Sequence, residues 1–277
     1  MPYTAEISRS QPTAFLFVID QSGSMDERMP SGKTKADFVA DVLNKTIYQL
    51  IIRSTKADGV RNYFDLGVLA YGGNGVSSGF GGSLATGVMH PLSAVEQNPL
   101  RIDTRTKRVD DGAGGLVDQT VKFPVWFDPK SSGGTPMCEA LRQVAQLLVD
   151  WCNSHDRSYP PTVIHVTDGQ STDGDPEQIA TQLQQISTND GAALLFNLHI
   201  DASEGTGLIF PNNESGLPDT HSKLLFRCSS QFPPHLVKPA QDKGYSVSSE
   251  SRFFGYRVGI EGIVDFFDIG TRASELR

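Results

Sequence analysis

The sequence AFLFVI at Ala14–Ile19 is followed directly by DQSGS at Asp20–Ser24. The first stretch is continuously apolar, and such a run predicts a strand that is buried on both faces, as in a parallel sheet. The second stretch carries one carboxylate and two hydroxyls at alternate positions, at the point where the strand ends. Open α/β sheets bind ligands at such strand ends, but this pattern alone is also compatible with a solvated turn or a helix cap.

Predicted strands and helices alternate along the rest of the chain. Apolar residues recur at helical spacing from Lys35 to about Arg53, which predicts a helix with one buried face. Further strands are predicted at Tyr63–Tyr71, Thr162–Thr167 and Ala193–Ile200, and further helices at Met137–Trp151, Glu177–Ile186, Asp219–Cys228 and Gly259–Asp268. This alternation predicts an α/β fold that is doubly wound, with a mostly parallel open sheet and helices on both faces.

The stretch from Pro99 to Pro129 interrupts the alternation. It contains two extended segments, around Arg101–Val109 and Leu116–Phe127, joined by the sequence DDGAGG. A turn-rich joint between two extended segments predicts a β-hairpin insertion at residues 99–129. Because no internal repeat or linker divides the chain, we expect a single domain over residues 1–277, with its core at about 13–270.

Composition argues against several classes of function. The formal net charge is −8, which disfavours nucleic-acid binding. No segment approaches the roughly 18 apolar residues that span a bilayer. Residues 1–12 lack the pattern of a signal peptide, and the three cysteines have no metal-type spacing. We therefore expect a cytoplasmic protein with no nucleic-acid and no membrane partner.

Two further polar segments are predicted at the same edge of the sheet. SSGGTP at Ser131–Pro136 precedes one predicted helix, and TDG at Thr167–Gly169 ends one predicted strand. Each segment alone is compatible with an ordinary turn, and Thr135 alone is compatible with a helix cap. Because parallel strands end at one edge, the carboxylates and hydroxyls should converge there. Such oxygens are the ligands that Mg²⁺, Mn²⁺ and Ca²⁺ prefer.

The three segments resemble the metal-ion-dependent adhesion site of von Willebrand factor A (VWA) domains. The matching sequences are IDQSGSM at Ile19–Met25, GGTP at Gly133–Pro136 and VTDG at Val166–Gly169, and the resemblance covers roughly residues 13–200. It implies a Rossmann-like fold and a divalent cation, Mg²⁺ first with Mn²⁺ or Ca²⁺ as alternatives. The residues that would hold the cation are Asp20, Ser22, Ser24, Thr135 and Asp168. The resemblance also implies that an Asp or Glu carboxylate of a partner protein completes the coordination.

The predicted site favours protein binding over catalysis. No histidine accompanies the motif as a general base, and His165 and His199 lie inside predicted buried strands. We therefore expect no enzyme and no catalytic residue, but an intracellular adaptor or signalling component that binds its partner through the metal. SGGTPM at Ser132–Met137 and TDGQSTD at Thr167–Asp173 look like intracellular bacterial members of the family, such as tellurite-resistance-type proteins.

A magnesium-dependent phosphoryl-transfer hydrolase of haloacid-dehalogenase type is the alternative. Such enzymes also place an Asp after the first strand of a doubly wound sheet, but they require a second Asp two residues later as a general acid. That position is Ser22 here, and a serine cannot serve as this acid at neutral pH. A nucleotide-binding Rossmann enzyme is disfavoured because no GxGxxG follows a predicted strand.

Partner specificity is predicted to lie in the segments next to the site. The hairpin insertion leads into Ser131–Pro136, and the loop Glu204–Pro218 follows the strand Ala193–Ile200, so both are expected to flank the metal. The basic and aromatic residues that the hairpin brings are Arg101, Arg105, Lys107, Arg108, Trp126 and Phe127. Interfaces favour such residue types. A core position for the two aromatic residues and a merely solvated role for the basic ones remain open at this point.

Overall fold

The computed structural model describes residues 3–110, 115–202 and 207–258, together with Asp265 and Ile269. Within these ranges the strands are β1 (Thr13–Gln21), β2 (Thr55–Lys56), β3 (Gly59–Val60), β4 (Phe64–Gly72), β5 (Gly75–Ser78), β6 (Met89–Pro91), β7 (Arg101–Asp110), β8 (Leu116–Val125), β9 (Thr162–Thr167), β10 (Ser187–Thr188), β11 (Gly191–Ala192), β12 (Leu194–His199), β13 (Leu208–Ile209) and β14 (Phe254–Tyr256). The α-helices there are α1 (Lys35–Ser54), α2 (Leu92–Gln97), α3 (Met137–Ser154), α4 (Glu177–Leu183), α5 (Thr220–Cys228) and α6 (Pro234–Asp242). The predicted helix at Gly259–Asp268 lies outside the described residues, apart from Asp265.

The central sheet has the order β13-β14-β12-β9-β1-β4-β5, with β6 paired to β4. The strands β4, β1, β9, β12 and β14 are parallel, whereas β5, β6 and β13 are antiparallel to their neighbours. Every residue of β1 from Thr13 to Asp20 is buried, as the continuous apolar run predicts for a central strand. The predicted doubly wound, mostly parallel α/β fold is confirmed.

Helices cover both faces of the sheet. Alternate residues of β1 point to opposite faces, so Phe15 and Phe17 pack with the buried side of α1, whereas Leu16 and Val18 pack with α3 and α4. The helices that follow the adjacent strands β1 and β9 therefore lie on opposite faces. Such a divergence opens a crevice at the carboxyl ends of the two strands. No helix within the described ranges is long and apolar enough to cross a membrane.

The first turn of α1 is fixed beside that crevice by a capping box. The hydroxyl of Thr34 accepts a hydrogen bond from the backbone N–H of Asp37 at 3.0 Å, and the Asp37 carboxylate accepts the backbone N–H of Thr34 at 3.2 Å. This reciprocal pair satisfies N–H groups that a helix start otherwise leaves without partners. It also sets the position of Lys35, the first residue of α1.

The predicted hairpin insertion is confirmed as β7 and β8, which pair antiparallel along their full length. The hairpin lies along α1. The ring centroid of Phe123 is 5.7 Å from that of Tyr48, and Arg105 forms an ion pair with Asp41 at 2.8 Å. Arg105 lies farther along the hairpin than Phe123, and its partner Asp41 lies closer to the start of α1 than Tyr48 does. The hairpin therefore extends toward the carboxyl edge of the sheet.

Candidate metal centre

The predicted site residues lie at the carboxyl edge, where β1 and β9 end. Asp20 is the penultimate residue of β1, Asp168 follows β9 directly, and Thr135 lies shortly before α3. Ser22 and Ser24 lie at the start of a 3₁₀ turn at Gly23–Asp26. Because Ile19 pairs with Val166 in the parallel register, the two strand ends bring their polar residues to the same level of the sheet.

Asp20 is a deeply buried carboxylate, with 1% of its surface exposed. One carboxylate oxygen accepts the backbone N–H of Ser22 at 2.8 Å, and the other accepts the hydroxyl of Thr167 at 2.7 Å. Within the described ranges no lysine, arginine or histidine forms an ion pair with it. Burial raises the pKa of Asp20 from 3.8 to about 6, although the hydrogen bonds from Ser22 and Thr167 lower it. The buried negative charge therefore lacks a cationic partner in the part of the chain that the structure describes.

A chain of hydrogen bonds links the end of β1 to the end of β9. The hydroxyl oxygens of Ser22 and Ser24 are 3.1 Å apart, and the Ser24 hydroxyl donates to Asp168 Oδ1 at 2.7 Å. Ser22 is buried, whereas Ser24 is exposed. Asp20, Ser22, Ser24 and Asp168 are thus brought together as predicted, and the group reaches solvent at Ser24.

The loop that carries Thr135 is attached to the same junction through its backbone. The N–H of Ser132 donates to the carbonyl of Gln21 at 2.8 Å, and the N–H of Gly23 donates to the carbonyl of Gly133 at 2.9 Å. Gly133 has a φ of +64°, and a Cβ there would lie 2.3 Å from the Cα of Gly73, so only glycine fits. Within the described residues, the Thr135 hydroxyl forms no hydrogen bond with the other four candidate ligands.

Thr135 does not cap α3. The backbone N–H groups of Cys138 and Glu139, in the first turn of that helix, donate instead to the Asp173 carboxylate at 2.9 and 2.8 Å. Thr135 itself is held by Thr172, which accepts its N–H and donates to its carbonyl, each at 2.9 Å. The cap role of Thr135 is therefore excluded, and its hydroxyl is a candidate ligand.

Lys35 is a site residue that sequence reasoning missed. Its ammonium lies 2.9 Å from Asp168 Oδ2 and 2.5 Å from Glu27 Oε2. Burial lowers the pKa of Lys35, but hydrogen bonds and charge interactions with Glu27 and Asp168 more than offset this, so the pKa is raised and the ammonium stays charged. The one feature of the sequence that could have indicated a role for Lys35 is its place at a helix start, where the helix dipole disfavours a cation.

The donors at this edge fit a hard divalent cation. No group of three or more His, Cys, Asp and Glu side chains within the described ranges could hold a metal ion, so a cation here would depend on hydroxyl oxygens. Two carboxylates and three hydroxyls suit Mg²⁺ or Ca²⁺, which take oxygen ligands and retain water. A cation would also supply the counter-charge that the Asp20 carboxylate lacks.

The two histidines of the buried strands do not serve this site as bases. His165 is 1% exposed, and its ring nitrogens lie 2.6 Å from the Tyr71 hydroxyl and 2.8 Å from Asn197 Oδ1. Burial lowers the pKa of His165 to about 4. His199 is also buried, and its Nδ1 has no hydrogen-bond partner within the described residues. The predicted core position of both histidines is confirmed, although only His165 is fully satisfied.

Of the two positions left open for the hairpin aromatic residues, the structure shows the core position. Trp126 and Phe127 are 1% and 2% exposed, and the backbone N–H groups of both donate to Asn44 Oδ1. They follow β8 and pack in the core against α1, because the hairpin must be anchored to the domain where it begins and ends. Arg101 and Arg105 form ion pairs with carboxylates of this chain.

Residues 208–209 of the loop Glu204–Pro218 do not flank the site. Residues 203–206 lie outside the described ranges, but Leu208–Ile209 forms β13 at the margin of the sheet. Two strands, β14 and β12, separate β13 from β9. The expectation that this loop lies beside Asp168 is therefore wrong for residues 208–209, because they pair with β14.

Comparisons with known proteins identify the fold but not a family. No family model and no curated protein matches the sequence. The pilus adhesin SpaC from Lactobacillus rhamnosus GG matches 98% of this chain at a TM-score of 0.52 and 12% identity, and the match spans 31% of the adhesin. The vWF domain of the type V pili tip protein Mfa5 from Porphyromonas gingivalis covers 58% of this chain and 39% of its own, at a TM-score of 0.30 and 12% identity. The likeness to SpaC shows a shared fold alone, and the likeness to Mfa5 is too low to support an argument.

Proposed function

We propose that this protein is a VWA-type binding module that holds a carboxylate of a partner protein through a divalent cation. The observation that supports this most strongly is the hydrogen-bonded chain from Asp20 through Ser22 and Ser24 to Asp168, which is open to solvent at Ser24. These oxygens come from segments that only the fold brings together. An ordinary solvated turn would not require a carboxylate with 1% exposure at its centre.

In this proposal each residue has a distinct task. Asp20 supplies a buried carboxylate, whose orientation is fixed by Thr167 and by the backbone of Ser22. Ser22 and Ser24 supply compact neutral oxygens, and Asp168 supplies the second carboxylate. Thr135 supplies a hydroxyl from the loop that is bonded to the end of β1. A bound cation would attract an external carboxylate, because its hydroxyl ligands add no negative charge and Lys35 offsets part of the charge of Asp168.

Catalysis is disfavoured because, among the described residues, neither Ser22 nor His165 is placed to transfer protons at this site. Ser22 stands where a phosphoryl-transfer hydrolase needs an acid, and His165 is enclosed by Tyr71 and Asn197. A binding role also agrees with the name of the structurally similar SpaC, a pilus adhesin. The cytoplasmic location, the adaptor role and the link to tellurite-resistance-type proteins stay predictions, which cell fractionation and partner identification would test.

Calorimetric titration of the full chain with Mg²⁺, Mn²⁺ and Ca²⁺ tests the cation site. We expect the wild type to bind one ion, the variant Asp20→Ala to bind none, and the matched control Asp26→Ala to bind nearly as the wild type does. Asp26 is an exposed carboxylate in the adjoining turn, so the control removes the same charge nearby. Equal cation affinity of the wild type and Asp20→Ala would refute the assignment.

A further inference from the structure

Lys35 occupies a position that ordinary helix energetics does not favour. Its residue surface is 5% exposed, and lysine is rarely buried unless it is paired. It is the first residue of α1, where the helix dipole repels a cation. The capping box of Thr34 and Asp37 already satisfies the start of the helix, so α1 does not need a lysine there.

The ammonium instead engages a carboxylate that the proposed function assigns to the metal. Asp168 Oδ1 accepts the Ser24 hydroxyl at 2.7 Å, whereas Oδ2 accepts Lys35 at 2.9 Å. The Asp168 side chain is 1% exposed, so this pair is shielded from solvent, whereas the Glu27 side chain on the other side of Lys35 is 60% exposed. Shielding from water strengthens the interaction between charges.

We infer that Lys35 competes with the divalent cation for Asp168 and so sets the cation affinity of the site. This inference rests on the proposed function. With Lys35 present, its ammonium offsets part of the charge of the buried carboxylates of Asp20 and Asp168, whereas the Glu27 carboxylate on its other side is 60% exposed and screened by solvent. A divalent cation would then be held less tightly and would keep a larger positive charge toward an external carboxylate. Without Lys35 the same two carboxylates would neutralise a divalent cation.

The variant Lys35→Met tests this inference, with Mg²⁺ and Mn²⁺ alone as probes in calorimetric titrations of the full chain. Methionine keeps an unbranched side chain of similar length but removes the charge. We expect the cation to bind at least tenfold more tightly than in the wild type. Lys45→Met is the matched control, because Lys45 lies on the same helix, pairs with Asp41 and is 43% exposed. The control should change the affinity less than threefold.

A second variant should lower the cation affinity instead of raising it, and it changes an exposed residue. Glu27→Gln removes the exposed partner of Lys35, so more of the ammonium charge should act on Asp168 and cation affinity should fall. The control Asp26→Asn removes one charge from the same turn without touching Lys35, and it should weaken binding less than Glu27→Gln does. This pair keeps the inference testable if Lys35→Met does not fold.

The outcomes separate the inference from the proposed function. Tighter binding by Lys35→Met, or a clearly larger loss for Glu27→Gln than for Asp26→Asn, supports the role of Lys35. If the wild type binds the cation and a folded Lys35→Met binds it with equal or lower affinity, the role of Lys35 is overturned and the cation site remains. Absence of binding by the wild type and by both Lys35→Met and Asp26→Asn overturns the proposed function and this inference together.

Discussion

Replacement of Asp20 by asparagine should stabilise the protein in the absence of divalent cations while abolishing its response to them. Burial raises the pKa of Asp20 from 3.8 to about 6, so the folded state binds this proton more tightly than the unfolded state does. At pH 7 the ionised carboxylate therefore destabilises the fold. One pKa unit corresponds to about 1.4 kcal/mol, so the shift of about two units corresponds to about 3 kcal/mol.

Asparagine should recover most but not all of this free energy. Its amide oxygen can still accept the backbone N–H of Ser22, and its amide N–H₂ can donate to the hydroxyl of Thr167, which must then reverse its role. We take the weakening of these two hydrogen bonds as about 1 kcal/mol. The free energy of unfolding of Asp20→Asn should thus exceed that of the wild type by about 2 kcal/mol at pH 7 in EDTA.

Urea unfolding in EDTA from pH 7 down to pH 4 provides the measurement. The destabilisation by ionised Asp20 is fully present above pH 6 and disappears as the pH falls from about 6 toward 3.8, so the advantage of the variant should shrink over this range. Comparison of variant and wild type at each pH cancels the titration of other groups. Asp26→Asn, which changes an exposed carboxylate, should alter the free energy of unfolding by less than about 0.5 kcal/mol.

Addition of Mg²⁺ should reverse the order of stability. A ligand that binds only the folded state at one hundred times its Kd stabilises it by about 2.7 kcal/mol, and this gain should appear in the wild type alone. An Asp20→Asn variant that is less stable than the wild type in EDTA at pH 7 would contradict the argument from burial. Equal stabilisation of both proteins by Mg²⁺ would instead place the cation elsewhere.

Three further predictions follow from the same region. Burial holds the pKa of His165 at about 4, so NMR should show a neutral imidazole at pH 5.5. The free energy of unfolding should fall by up to about 3 kcal/mol as the pH falls from 6.5 to 4, because the folded state disfavours the protonated ring. Titration of His165 near pH 6.5 would refute this. Mg²⁺ should confer no hydrolysis of phosphomonoesters, and an activity that Asp20→Asn abolishes would instead favour the hydrolase. Gly133→Ala should weaken cation binding at least tenfold, because its Cβ would collide with Gly73. Gly32→Ala shares the positive φ but meets no atom within 4 Å, so equal effects of the two variants would exclude this steric cause.

The central part of the fold could be predicted because its signals are local. The buried run before Asp20 and the helical period after Lys35 each lie within one element, so each element is predicted from its own residues. The strand β14 has only three residues, and α6 contains Pro239 in its interior. Neither has a periodic pattern long enough to detect, and both form through contacts with the rest of the domain.

The candidate site likewise has a part that the sequence predicts and a part that it does not. Four predicted ligands are joined by hydrogen bonds because parallel strands end at one edge, a rule that needs no coordinates. The ion pair of Lys35 with Asp168 joins residues 133 positions apart, and no sequence period connects them. The hairpin shows the converse limit, because the sequence leaves open whether Trp126 is exposed or buried. Its indole N–H donates to the Val95 carbonyl at 2.6 Å, a contact with α2 that sequence alone does not predict.

The site combines two arrangements that act on cation binding in opposite directions. One is the buried carboxylate of Asp20, which has no cationic partner within the described ranges, and the other is the lysine at the start of α1. A cation shared by Asp20 and Asp168 would offset the first and meet competition from the second. Cation binding at such a site should be coupled to the stability of the carboxyl edge but remain exchangeable. Such a combination suits a reversible hold on an external carboxylate, whereas a purely structural metal site would gain nothing from a competing ammonium.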